Sequence, residues 1–341
     1  PNTATVYSDA ASSIDPIANT KVGLISSVPL VCSRPEGRLA SGAMWESVLR
    51  ALGSETLRIR WWWGAIHTLH VVTDSSCDIP NGLLERYGIT LVPMSVDIEG
   101  ADYLEGIDIT PGEFFEKMAR SPELPKTSQP APAAFSEAFD AVSADGPVLC
   151  LTVSSKLSGT YQSACLGAGL SGADVTVFDS LNASIGHGLQ VLKACELAAA
   201  GRTVDEIVPL LTEYRDGLNT LVLLNTLENI VRGGRLSRFE GSVGKVLDIR
   251  VLLHNDRGEV ILLEKVHGRK RLIERAVQRL RDMRPDLSGR DVGITHCDNL
   301  EDTERLRQAI GECCSPRSFI VNEMGAAMAT YAGLGGIILS F

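Results

Sequence analysis

The chain has 341 residues, 44% of them hydrophobic and 22% charged, with a formal net charge of −10. That length suits two compact domains, and the acidic balance argues against nucleic acid as a main partner, because phosphate contact needs a basic surface. The eight cysteines contain no Cys-x-x-Cys pair and read as reduced, mostly buried thiols of a cytoplasmic protein, and no apolar run approaches a membrane span.

Residues 1–68 differ in pattern from the rest of the chain. An apolar run at 22–31 is broken by Pro29, a candidate helix at 41–52 is capped by Ser41, and Trp61-Trp62-Trp63 fits neither helical nor strand periodicity. The run at 22–31 lies too far from the start, and lacks the small-residue cleavage site, for a signal peptide. The expectation is an atypical extension, unordered or translated upstream sequence, outside the folded core.

From Leu69 the pattern is regular. A strand at 69–73 ends in Asp74-Ser75-Ser76-Cys77-Asp78, and a helix at 80–87 stops at Gly88. A second strand covers 89–96, with a hairpin return over 97–106. Thr110-Pro-Gly-Glu113 opens a helix in capping-box form, with proline at its first position. An extended loop, 124–130, is fixed by its prolines, and a helix occupies 132–142. The apolar run 148–153 reads as a buried strand, and 160–170 as a helix. Between them, Ser154-Ser-Lys-Leu-Ser-Gly159 forms a corner of hydroxyls and unpaired backbone N–H groups that suits a phosphate or carboxylate. Ser158 stands at the expected N-cap, with Gly159 allowing close approach. The bland alternative is that Ser158 only caps its own helix.

A third strand at 175–178 ends in Asp179-Ser180. Helices are expected at 185–200 and from the Thr203-x-x-Glu206 cap to about Gly217. Strands alternating with helices imply a parallel sheet wrapped by helices, with ligands gathering at the strand ends. Asp74, Thr127, Ser158 and Ser180 fall at that edge. Beyond Gly217 the pattern becomes α+β: a strand at 221–225, a short helix at 227–232, a hairpin turning at 255–258, a basic helix at 270–281, and then strand, helix, strand and a glycine-rich end at 325–341. The fold class is therefore α/β, a parallel-sheet lobe at 69–217 plus a smaller α+β lobe at 218–341.

Several motifs do not survive their context. Gly167-Ala-Gly-Leu-Ser-Gly172 comes after a helix and precedes a strand, the reverse of a dinucleotide site, and reads as a loop. Asp74 lacks a carboxylate two residues on to help hold Mg²⁺ and serves equally as a cap. The serines offer neither Gly-x-Ser-x-Gly nor Ser-x-x-Lys. His67-x-x-His70 has metal-compatible spacing on a helix but no cysteine or carboxylate in register, so no metal is assigned. Arg269-Lys-Arg271 with Arg275 and Arg279 reads as a solvated helix face or as a docking patch for an acidic partner.

From about Leu69 to its end the chain closely resembles the DegV family of fatty-acid-binding proteins, acyl carriers for bacterial fatty acid kinase. The residues that carry the resemblance are Val72-Thr-Asp-Ser-Ser-Cys-Asp78, Val92-Pro-Met-Ser-Val96, Lys126-Thr-Ser-Gln-Pro130 and Ser154-Ser-Lys-Leu-Ser-Gly-Thr-Tyr-Gln-Ser163. Further on come Asp179-Ser180, Ser184-x-Gly186-x-Gly188 and Leu227-Glu with Arg232-Gly-Gly-Arg235. The resemblance implies a two-lobe fold holding a fatty acid with its tail buried and its carboxylate on hydroxyls. By position the carboxylate set is Thr127, Ser128, Ser158, Gly159 and Thr160, with Asp74, Ser75, Ser180 and Thr330 as candidate rim residues. Arg232, Arg235 and Arg269 are candidates for docking the kinase, and transient contact with a membrane surface is admitted. No cofactor and no catalytic residue is implied. In one departure, the family's glycine-rich end reads His-Thr-Gly-Pro-Gly, its His near the carboxylate. Here 329–333 read Ala-Thr-Tyr-Ala-Gly, and the His position is assigned to Ala329. The competing class is an enzyme, a hydrolase or phosphotransferase acting on an acyl or phosphorylated small molecule at the strand-end rim.

Overall fold

The computed structural model describes residues 5–7, 69–237 and 249–341. Its first strand, β1 (Thr5–Tyr7), pairs antiparallel with residues 319–321. This corrects the expectation that residues 1–68 stand wholly apart. Three residues gave the sequence no periodicity to detect, and pairing with a distant strand supplies their order. The rest of that segment, including the candidate helix at 41–52, the tryptophans and His67, lies outside the described residues.

The first half is built on a four-stranded parallel sheet, β3-β2-β7-β8. Its members are β2 (His70–Asp74), β3 (Thr90–Val92), β7 (Val148–Thr152) and β8 (Val175–Asp179). Every residue of β7 is buried, as expected where helices cover both faces of a parallel sheet. Its side chains alternate between two cores. Val148 and Cys150 meet Phe135 and Phe139, whereas Leu149 and Leu151 join the core of Ile185 and Leu189. The covering helices are α3 (Pro132–Val142) and α4 (Thr160–Leu170) on one side and α5 (Ile185–Ala199) on the other. Before them come α1 (Asn81–Tyr87), ended by Gly88 at φ 62, and α2 (Pro111–Arg120), whose Thr110–Glu113 capping box forms as expected. After them comes α6 (Val204–Asp216), which opens on the Thr203–Glu206 box.

The expected strand 89–96 is two strands. Pro93 has no N–H to give a ladder, so β3 ends before it and β4 (Ser95–Ile98) starts a separate antiparallel sheet. In that sheet β4 lies between β5 (Ala101–Leu104) and β6 (Lys126–Ser128). The 124–130 loop therefore contains a strand, which fixes Thr127 opposite Val96.

The second half forms a seven-stranded mixed sheet, β1-β13-β12-β14-β9-β10-β11. Its strands are β9 (Thr220–Leu224), β10 (Ile249–Asp256), β11 (Glu259–His267), β12 (Asp291–His296), β13 (Ser318–Glu323) and β14 (Ile337–Ser340). Helix α7 (Glu228–Arg232) comes after β9, while α8 (Arg269–Met283) and α9 (Leu300–Cys313) cover one face. The glycine-rich end is more ordered than its composition suggests. It holds helix α10 (Ala326–Ala332) and the interior strand β14. Two other expectations need correction. Gly167 and Gly169 lie in the last turns of α4, not in a loop, and His70 opens a strand instead of sitting on a helix. The seven cysteines among the described residues are free thiols, and no helix there is long and apolar enough to cross a membrane.

Candidate functional site

Two sequence motifs meet in space. The Gln129 side chain lies over Gly159, where a Cβ would fall 2.1 Å from Oε1. Ser163 Oγ donates to the Pro130 carbonyl at 2.5 Å, and Gly167 lets α4 pack on the backbone of Pro132. The loop after β6 is thereby sewn to the corner before α4, which brings Thr127 and Ser158 to the same opening.

That opening leads into an apolar cavity between the two large sheets. Val153 and Leu157 line it from the first half; Val222 and Leu224 of β9, Val260 of β11 and Ile338 of β14 line it from the second. The deeper polar residues are already satisfied. Thr220 Oγ1 donates to Asn182 Oδ1 at 3.1 Å, and Asn255 Nδ2 to the Leu181 carbonyl at 3.0 Å. The other polar groups are Thr127, Ser158, Arg235 and Tyr331, all of which line the same cavity.

The Thr127 and Tyr331 hydroxyls are 2.6 Å apart. Because one donates to the other, the pair keeps one hydroxyl hydrogen for a third group. Ser158 Oγ is 2.8 Å from Thr160 Oγ1 and accepts the Thr160 N–H at 3.3 Å. If Thr160 donates, the Ser158 hydrogen is free to face the cavity. The Arg235 guanidinium stacks on the Tyr331 ring, 4.9 Å from its centroid, while donating to the carbonyls of Leu157 at 3.2 Å and Gly233 at 2.6 Å. Gly233 is required there, since a Cβ would fall 2.4 Å from Tyr331 Cε1. The result is an apolar chamber whose mouth carries hydroxyl donors and a fixed positive charge. An amphiphile with an anionic head satisfies both parts.

The expected site residues divide. Thr127 and Ser158 line the cavity, and Thr160 is buried directly under Ser158. The N-cap residue is Gly159 instead of Ser158, but Ser158 Oγ still accepts the first helical N–H, that of Thr160. Ser128 and Gly159 are exposed and do not line the chamber. The candidate rim is mostly internal. Asp74 is fully buried, accepting Ser76 N–H at 3.1 Å and Val153 N–H at 2.8 Å, which ties the ends of β2 and β7 together. Ser180 is buried in a turn with Asn182, and the Thr330 hydroxyl bonds back to the Ala326 carbonyl at 2.8 Å. Ser75 donates to Glu105.

The cationic candidates also divide. Arg232 and Arg235 flank a cleft outside the Thr127–Tyr331 pair, together with Lys126. Arg269 is engaged by Asp302 at 2.6 Å and Asn299 at 2.9 Å and lines neither cavity nor cleft. Arg275 forms a two-pronged pair with Glu264 at 2.8 and 3.0 Å, and Arg279 reaches the same carboxylate.

Tyr331 is the residue that sequence reasoning missed. Ala329 is fully buried on α10 and does not line the cavity. The two glycines of His-Thr-Gly-Pro-Gly fall on Gly333 and Gly335 of Tyr331-Ala-Gly-Leu-Gly335, which puts Tyr331, not Ala329, at the His position. The glycine spacing held that signal.

A family model described as an uncharacterised protein of the DegV family matches residues 68–341. A DegV domain-containing protein of Caldanaerobacter subterraneus is 34% identical over 265 residues, covering 77% of this chain and 94% of that protein. Among solved structures, a DegV family protein from Thermus thermophilus described by its fatty acid binding is 32% identical with a TM-score of 0.72, covering 80% of this chain and 99% of that one. A DegV lipid binding protein from Thermotoga maritima is 30% identical with a TM-score of 0.73, covering 80% and 97%.

Proposed function

The chain belongs to the DegV family, and from that premise we propose that it binds a long-chain fatty acid, tail in the chamber and carboxylate at Thr127, Ser158 and Tyr331. The observation that carries this reading is the coincidence of an apolar chamber between the sheets with a mouth of hydroxyls and one guanidinium. Solved relatives described as fatty acid or lipid binding support it.

Burial of about fourteen methylenes contributes on the order of 11 kcal/mol before ordering costs. Each hydrogen bond to the carboxylate adds about 1.5–3 kcal/mol. The chamber therefore dominates affinity, and the mouth decides which end faces outward. An outward carboxylate next to Lys126, Arg232 and Arg235 is a head group offered to another protein. The finer reading is a cytoplasmic carrier, without catalysis of its own, that presents the carboxylate to a separate fatty acid kinase for acyl-phosphate formation. The cationic cleft would receive an acidic face of that kinase. The competing hydrolase or phosphotransferase needs Asp74 or Ser180 turned toward substrate, and both are buried in hydrogen bonds within the fold.

Native mass spectrometry of the full chain purified from a bacterial host tests the reading. One long-chain fatty acid per chain supports it. A chain that carries none and takes up no added oleate overturns it.

A further inference from the structure

Outside the chamber, Asp78 and Glu105 are buried carboxylates, 5% and 7% exposed, and among the described residues no cation is set against either. Both are spent on the segment that leads into α10. Asp78 Oδ1 accepts the Gly325 N–H at 2.8 Å, Oδ2 accepts the Ser184 hydroxyl at 2.5 Å, and its carbonyl accepts Asn322 Nδ2 at 3.0 Å. Glu105 Oε1 accepts the Ala327 N–H at 2.8 Å, and Oε2 accepts the Ser75 hydroxyl. Ser75 Oγ in turn accepts the Met94 N–H at 2.9 Å. Met94 and Ala327 both line the chamber, so the Ser75–Glu105 relay joins two of its wall residues from outside. The two carboxylates converge on one glycine: a Cβ at Gly325 would lie 2.2 Å from Glu105 Oε1 and 3.2 Å from Asp78 Oδ1.

A seven-residue helix is too short to hold itself. The position of α10 is therefore set by what grips it. Its far end is held by Asn229 Nδ2 on the Thr330 carbonyl at 2.9 Å and by Tyr331 on Thr127. Its near end is held by the two carboxylates. Burying charge without a cation is costly, and hydrogen bonds from backbone and hydroxyl donors offset part of that cost.

We propose that Asp78 and Glu105 are positioning residues for the head-group site, fixing the start of α10 and through it the Tyr331 hydroxyl opposite Thr127. This rests on the fatty-acid reading only for its effect on binding. The grip on α10 stands without it.

Oleate titrations of the delipidated full chain, with Glu105→Gln, Tyr331→Phe and the double variant, test the coupling, and hydrogen exchange tests the grip. Glu105→Gln is expected to weaken oleate binding about tenfold in the parent and by less than about twofold in the Tyr331→Phe background. Exchange at 325–332 should quicken about tenfold while the amides of β7 keep their protection. An equal loss of affinity in both backgrounds overturns the proposal, as does exchange unchanged at 325–332 or raised uniformly. If the parent binds no oleate, the fatty-acid reading fails, and the exchange result alone upholds or overturns the grip.

Discussion

The Thr127 and Tyr331 hydroxyls, 204 residues apart in sequence, meet at 2.6 Å across the mouth of the chamber. One comes from an edge strand of the small sheet and the other from a helix gripped at both ends. Their contact closes the polar end of a cavity that is otherwise apolar.

Tyr331→Phe keeps the ring under Arg235 and removes only the hydroxyl. Oleate affinity should fall about tenfold, the worth of one hydrogen bond to a charged group. Melting temperature should change little, because the ring contacts remain. Calorimetric titration beside a thermal scan measures both.

Ser158→Ala and Thr127→Val separate a ligand role from a local one. Each removes a charge-assisted hydrogen bond and should cost about 1.5–3 kcal/mol of oleate binding. Losing only the Ser158–Thr160 contact would lower stability by about 1 kcal/mol and leave affinity intact. Side-by-side affinity and melting measurements distinguish the two outcomes.

Gly167→Ala is the control with the opposite signature. Its Cβ would fall 2.6 Å from Phe135 Cβ and 2.7 Å from the Pro132 carbonyl, forcing α3 and α4 apart. Overpacking of this kind costs about 1–3 kcal/mol of stability. Denaturant unfolding should register that loss, with oleate affinity changing far less than in the mouth variants.

The buried carboxylates set a pH dependence. Burial is the main cause that raises Glu105 above its ordinary 4.5, with Asp74 adding to it and bonds from Ser75 and Ala327 opposing. Burial also raises Asp78 well above its ordinary value, with Glu105 as the next cause. Cys77, facing the same acids, is held as a thiol by its burial. A carboxyl raised on folding contributes stability that is complete below its unfolded value and is lost as pH rises through the folded one. The melting temperature of Glu105→Gln relative to the parent should therefore climb as pH rises from about 4.5 upward. A difference that is flat with pH, or falls, would contradict this.

Arg232 and Arg235 serve different ends. Arg235 is built into the mouth, so its reversal should weaken both lipid binding and any transfer to a kinase. Arg232 is 49% exposed, with one long contact to Glu228 at 3.6 Å. Arg232→Glu should slow acyl-phosphate formation and leave oleate affinity unchanged, with a rate that is salt-dependent in the parent. A coupled kinase assay across ionic strength checks it.

Local signals carried much of the fold. The capping boxes at Thr110 and Thr203, the Gly88 stop and the run through β7 all act within a few residues, and periodicity exposes them. What escaped was set at long range. Pro93 divides a strand only because its neighbours join different sheets. β14 is interior despite its glycine-rich approach, and Arg269 is bound by Asp302, 33 residues away. In the site, hydroxyl chemistry was legible at Thr127 and Ser158, whose motifs touch through Gly159 and Ser163. Tyr331 was legible only through the spacing of Gly333 and Gly335, since a short helix in a small-residue stretch gives no amphipathic pattern.

The most direct test is a crystal structure of the full chain with an ω-brominated long-chain fatty acid. Anomalous bromine density is expected deep in the chamber, near Val222 and Ile338, with the carboxylate within hydrogen-bonding distance of the Thr127–Tyr331 pair. Bromine at the mouth beside Arg235, or ligand only outside the chamber, would contradict it.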